Sequence, residues 1–308
     1  MVPTTVTPLA YGEYVYQMFA SLLAFVLHFV VIYKLWKYSI QKQLSLNLVV
    51  NVVFWIFAMF ASFLYSCIMV GLGSTSENLY KTQLVFWFGT LLSAMSGAVS
   101  ISIAFLTLDR IYLLQMPVQY HYQRRRFIFA TIVMSLSIIV FIVVLLPIVE
   151  MPLPELTACP SYSCLLKESR GMVTTAPKMF IGLLNTILAI VLYRKLKKKR
   201  PIGLNKNFQR ANNVAMLSII TELWFHFIPN AINLFFFYNR IPYWNLFGPL
   251  TLDFFATDSI ISGLVILVVI ARKPKAKRAL GFSTMAIIIG ATRRWSKSTH
   301  RPVNVSSL

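Results

Sequence analysis

Seven long apolar runs, separated by shorter polar breaks, set the pattern of the 308-residue chain. They cover Tyr14–Tyr33, Leu44–Leu72, Leu84–Met116, Phe127–Val149, Met172–Tyr193, Val214–Tyr238 and Leu246–Ala271. Each is long enough for a helix to cross about 30 Å of hydrocarbon, which takes roughly 20 residues. A spanning strand needs only about 10 residues and alternates apolar with polar positions, and these runs do neither. The pattern therefore predicts an all-α membrane protein, a seven-transmembrane helix bundle. An eighth apolar stretch, Ala279–Ala291, has 13 residues and is too short to span. No internal repeat suggests the duplicated halves of many transporters.

Composition agrees, since 57% hydrophobic against 12% charged residues is more apolar surface than one soluble core requires. The net charge of +20 raises nucleic acid as a partner, and its distribution answers the question. Of the 29 Lys and Arg, 24 lie in segments 34–43, 110–126, 194–210 and 272–308, and only 5 in the alternate segments. By the positive-inside rule the amino terminus is outside and the carboxyl terminus cytoplasmic. Basic loops beside anionic headgroups account for the charge, so membrane lipids are expected partners and nucleic acid is not. The chain divides into a short extracellular tail (1–13), a seven-span domain (14–271) and a basic cytoplasmic tail (272–308), with a surface helix expected from Arg272 and interrupted by Pro274. Met1–Glu13 has no basic n-region, so no cleavable signal peptide is expected. So short a tail cannot form a binding domain, and a small-molecule ligand is expected to enter the bundle itself.

Polar residues inside the runs are the candidates for that ligand. On the sixth run Glu222, His226, Pro229, Asn230 and Asn233 fall within about 100° of one another on a helix, a stripe expected to face the interior. On the seventh, Thr251, Asp258 and Ser262 form a second stripe, with Asp253 and Thr257 on a different face. Ser93, Ser96, Gly97, Ser100 and Thr107 make a small-residue stripe on the third, which close helix packing explains as well as a ligand does. A charged acid at the bilayer centre costs about 2.5–3.5 kcal/mol. Glu222 and Asp258, each midway along its run, therefore either share a proton, cation or ligand group or serve structurally as neutral hydrogen-bonding groups. The residues form neither a metal-ligand set nor a Ser-His-Asp or phosphate-binding pattern, so no enzyme, metal or cofactor is expected.

One further stretch, "LTLDRIYLLQMPVQYH" at residues 106–121, sets an acid beside a base at the end of the third run. From Leu84 to Arg110 is about 39 Å of helix at roughly 1.5 Å per residue, which puts the pair at the cytoplasmic edge, where the segment stops being buried. Asp109-Arg110, Pro117 eight residues after the acid, Tyr120 three further, then Arg124-Arg125-Arg126, resembles the Asp-Arg-Tyr motif and second intracellular loop of rhodopsin-like G-protein-coupled receptors. Ile111 stands where that motif has Tyr. The resemblance implies that Asp109 holds Arg110 at rest and that Arg110 is presented to a heterotrimeric G protein when the sixth helix moves outward.

Departures narrow the likeness. Val85 replaces the Cys usually bridged to the second outer loop, the seventh run has no Asn-Pro-x-x-Tyr, and Phe227 stands two residues before the kink proline, Pro229, where Trp is usual. Of the three cysteines, Cys159 and Cys164 lie in the segment assigned outside, where a local bridge, free thiols or a bond to Cys67 all remain open. The seventh run has no Lys for a retinal Schiff base, and Leu92 replaces the Asp of amine receptors. With short loops and "RKPKAKRAL" after the seventh run, the whole chain is similar to the nematode serpentine chemoreceptors, class BC. That implies a receptor in a sensory-cell plasma membrane that binds an odorant or pheromone among helices three, five, six and seven and activates a G protein. A transporter or ligand-gated channel using Glu222, Asp253 and Asp258 is the alternative.

Overall fold

The computed structural model describes residues 8–37, 46–73, 80–157, 161–166, 172–198, 206–239 and 250–271. Its helices are α1 (Pro8–Lys37), α2 (Leu46–Gly73), α3 (Thr82–Gln115), α4 (Pro117–Glu150), α5 (Met172–Lys198), α6 (Lys206–Glu222), α7 (Ile228–Tyr238) and α8 (Leu250–Ala271). A π-helical turn, Leu223–Phe227, joins α6 to α7, so the two make one interrupted sixth span. Among the described residues seven spans are long and apolar enough to cross a membrane, and the chain is a multi-pass membrane protein built as a seven-helix bundle. A two-residue antiparallel ribbon, β1 (Tyr80–Lys81) with β2 (Leu156–Thr157), is the only sheet among the described residues. The apolar stretch Ala279–Ala291, too short to span, and the surface helix expected from Arg272 lie outside the described residues.

α3 is the axis of the bundle, packing against α2, α4, α5 and α6. Its sequence explains why: small residues let neighbouring backbones approach closely. Gly97 faces Ile138 and Ile142 of α4, where an added Cβ would already meet Ile138 at 3.5 Å. α4 is the opposite case, with Phe129, Leu136, Val140, Val144 and Ile148 exposed along its length, as a lipid-facing helix requires.

Polar side chains between the helices pair across them. Ser21 and Ser62 are 2.7 Å apart and Gln17 Nε2 donates to Ser62 Oγ at 3.1 Å, linking α1 to α2. Asn51 Nδ2 donates to Ser102 Oγ at 2.7 Å, linking α2 to α3. Each such bond contributes about 0.6 kcal/mol in a membrane bundle. Between α1, α2 and α8, Trp55 stacks on Phe255 at 5.1 Å and on His28 at 5.8 Å.

Several helices outrun the apolar runs that announced them. α4 begins at Pro117 rather than Phe127, so the stretch read as a second intracellular loop is helical. Met116 leaves helical geometry with φ −133° and ψ 67°, and Pro117, whose missing N–H costs nothing at a first helical position, restarts the chain. Hydropathy marks the part of a helix suited to lipid, and the Arg-rich first turns of α4 fall outside it. α5 likewise continues to Lys198, where Lys195, Lys197 and Lys198 complement the negative end of its dipole.

Candidate functional site

Polar groups gather at two places along α3. The first is its carboxyl-terminal end. The break at Met116 turns the chain back, so that Tyr120, in the first turn of α4, lies over Asp109. Its hydroxyl donates to Asp109 Oδ1 at 2.7 Å, and Asn47 Nδ2 of α2 donates to the same oxygen at 3.1 Å. Arg110 Nη2 is 3.5 Å from Asp109 Oδ2. Thr131 of α4 donates to Asn47 Oδ1 at 3.2 Å and extends the cluster. The spacing Asp-Arg-x6-Pro-x-x-Tyr thus has a geometric cause: the proline starts the next helix and the tyrosine reaches back one turn later.

Burial here differs from the sequence expectation. Asp109 is 0% and Arg110 3% exposed, so the segment does not stop being buried at the pair. The helical restart at Pro117 covers what an open loop would have left to water. Arg110 Nε is buried without a hydrogen-bond partner among the described residues. Burial, then the charge of Asp109, pushes the Tyr120 phenol up to about 12, so it remains a proton donor at any physiological pH.

The second place is a cavity at the amino-terminal end of α3. Its volume is about 60 Å³, several times the roughly 10–15 Å³ that admits one water. Ser93 of α3, Thr174 and Lys178 of α5, Asn230 and Asn233 of α7 and Thr251 of α8 line it. A 3-10 turn, Tyr162–Leu165, closes one side. Tyr162 packs onto Gly89, where any Cβ would collide with its ring. The Tyr162 hydroxyl is 3.1 Å from Thr90 Oγ1, and its backbone N–H donates to Tyr65 OH at 3.0 Å. Thr82 N–H donates to Glu155 O at 3.3 Å and, with the β1–β2 ribbon, fixes the segment leading to the turn.

Between the cavity and the Asp109–Arg110 cluster runs a polar chain. Asn230 Nδ2 donates to His226 O at 2.7 Å, and His226 Nδ1 is 3.3 Å from Ser100 Oγ. Asn185 Nδ2 of α5 donates both to Ser100 O at 3.1 Å and to Glu222 Oε2 at 2.7 Å. Asp258 lies within electrostatic reach of Glu222, and Ser262 Oγ approaches Asp258 Oδ1 at 3.5 Å.

The family model described as serpentine type 7TM GPCR chemoreceptor Srbc matches residues 9–274. The chain belongs to the Srbc family of nematode chemoreceptors. No curated protein matches it.

In this chemoreceptor the sequence candidates separate into three groups. Ser93, Asn230 and Asn233 line the cavity. Glu222, His226 and Asp258 are buried in the polar chain and do not line it, and Ser96 donates to Ser93 O at 2.8 Å within α3. Asp253 belongs elsewhere: it is not among the cavity-lining residues, the charge of Glu13 on α1 acts on it, and Thr257 beside it is 2.9 Å from Tyr16 OH. Pro229 stands just past the π-helical turn, whose last residue, Phe227, lies against Gly182 of α5. A proline removes its own N–H and clashes with the carbonyl four residues back, and the wider turn relieves both. Among the described residues Cys67 is in no disulfide, and Cys159 and the side chain of Cys164 lie outside them.

Sequence reasoning passed over Lys178, Tyr162, Asn47 and Asn185. Lys178 carried a signal, since it falls six residues inside the fifth apolar run although its charge was counted with the loop before it. The other three are uncharged residues whose roles depend on which helices meet.

Proposed function

We propose that this chemoreceptor binds a small-molecule odorant or pheromone in the cavity beneath Tyr162 and activates a heterotrimeric G protein through Arg110. In this reading the amino terminus and the cavity face outside, the basic segments meet cytoplasmic lipid and G protein, and the receptor resides in the plasma membrane of a sensory cell, at its cilium. The flanking segments 1–13 and 272–308 serve as a short outer tail and a basic inner tail. Disposition along α3 supports it: Ser93 and Asp109 are separated by about 24 Å of helix at 1.5 Å per residue, most of the roughly 30 Å hydrocarbon thickness.

The observation that carries the reading is the enclosure of Arg110. A guanidinium held by Asp109 behind Tyr120 and Asn47 cannot meet a protein partner until the cluster opens. A ligand drives that opening only as far as it binds the open arrangement more tightly. The interrupted sixth span, bonded to α3 and α5 through His226 and Glu222, is the element both ends can bias.

Arg110→Ala tests the assignment. Ligand binding to the receptor in membranes is expected to survive while ligand-stimulated nucleotide exchange on the G protein is lost; undiminished exchange would overturn it. The transporter or channel alternative is separated in the same cells, because ligand-evoked currents that persist when nucleotide exchange is blocked belong to that class.

A further inference from the structure

Lys178 stands one residue after Pro177, in the second turn of α5, and lines the cavity. It is the one charged side chain among the described cavity-lining residues. Among the described residues its ammonium has no hydrogen-bond or ion-pair partner, Arg110 with Asp109 being the only salt bridge there. His226 is the ionisable group it acts on. Glu222 and Asp258 do not line the cavity.

An ammonium in so apolar a bundle is costly to leave without a counter-charge, and one placed against an open cavity rather than against an acid calls for a counter-charge from outside. The remaining wall is polar, with the hydroxyls of Ser93, Thr174 and Thr251 and the amides of Asn230 and Asn233 around the same space, groups of the kind that solvate an anion. The cavity volume of about 60 Å³ fits a compact headgroup with few atoms.

We propose that the cavity is a carboxylate-binding site in which Lys178 pairs with the acid group of a small organic acid. The inference rests on the receptor reading only for what binding then causes; the site itself is a matter of binding. Charge-assisted hydrogen bonding to the ammonium makes the acid bind at least about tenfold more tightly than its ester.

The test uses the full chain purified in lipid nanodiscs, with butanoate, hexanoate and octanoate, their methyl esters, and butylammonium as probes. Thermal unfolding reads binding without a G protein, and nucleotide exchange with added G protein reads signalling separately. The acids are expected to raise the unfolding midpoint, the esters and butylammonium to leave it unchanged. Lys178→Gln should abolish the acid effect and Lys178→Arg should retain it, which separates loss of the charge from loss of the fold. Acids and esters acting alike, no acid acting at all, or an acid effect that survives Lys178→Gln would each overturn the proposal. So would an acid effect that appears only in Glu168→Gln, because that carboxylate, which lies outside the described residues, would then be the partner of Lys178. Acid binding lost in Lys178→Gln without any nucleotide exchange in the parent receptor would uphold this site and remove the signalling role. Exchange driven by the esters, undiminished in Lys178→Gln, would do the reverse.

Discussion

Replacing Tyr120 with Phe removes a single oxygen, the one that donates to Asp109 Oδ1 at 2.7 Å. The ring keeps its place near Tyr112, whose centroid is 6.5 Å away, so packing is little altered. Hydrogen bonds to charged groups contribute about 1.5–3 kcal/mol. Asp109 retains Asn47 and Arg110, so the lower end applies, about 1.5 kcal/mol, or roughly a tenfold change in a two-state ratio. If that bond belongs to the resting arrangement and is lost on activation, a receptor about 1% active without ligand becomes nearly 10% active. Basal nucleotide exchange in membranes, compared at equal receptor surface density, measures this directly. The phenol, pushed up to about 12, donates throughout the physiological range, so the difference between parent and variant should not vary with pH from 6 to 8. Basal exchange equal to the parent's, accompanied by a lower unfolding midpoint, would refute the switch and leave Tyr120 a structural residue.

How far the sequence revealed this molecule depends on which physical quantity carries each feature. The seven spans were legible because lipid imposes one requirement, about 20 apolar residues in a row, on every span alike. The interior direction of Glu222, His226, Asn230 and Asn233 was legible for the same reason, since a polar stripe among apolar residues has only one favourable side. The helical start of α4 was not, because Pro117–Arg126 owes its helix to a terminus and a proline rather than to a lipid-facing pattern. Nor was the burial of Arg110: charge predicts exposure, and only the fold of α4 over Asp109 reverses it. The split of the polar stripe, with Asn230 and Asn233 at the cavity and Glu222 and His226 in the chain below, turns on helix depth and on the π-helical turn, neither of which periodicity resolves. Lys178 was hidden by its own charge, which assigned it to a loop.

Three other substitutions test separate parts of the structure. Gly89→Ala drives a methyl into the Tyr162 ring, and radioligand or unfolding-shift measurements should show weakened ligand binding, the turn being displaced from the cavity; unchanged binding would mean that the turn does not shape the site. Asn185→Ala leaves Glu222 Oε2 and Ser100 O without their shared donor at a cost of about 1–3 kcal/mol, read as a lower unfolding midpoint; an unchanged midpoint would show that these bonds add nothing to stability. Pro229→Ala addresses the sixth span. The alanine restores an N–H and relieves the clash with the carbonyl of Phe225, so the reason for the π-helical turn disappears and a regular helix is favoured. Removing the extra residue from that turn rotates α7 relative to α6 by about 100°. Asn230 and Asn233 then cannot face the cavity while Glu222 still faces Asn185. Pro229→Ala is therefore expected to lower ligand potency with normal surface expression, and a dose–response curve that superimposes on the parent's would show that the turn does not depend on the proline.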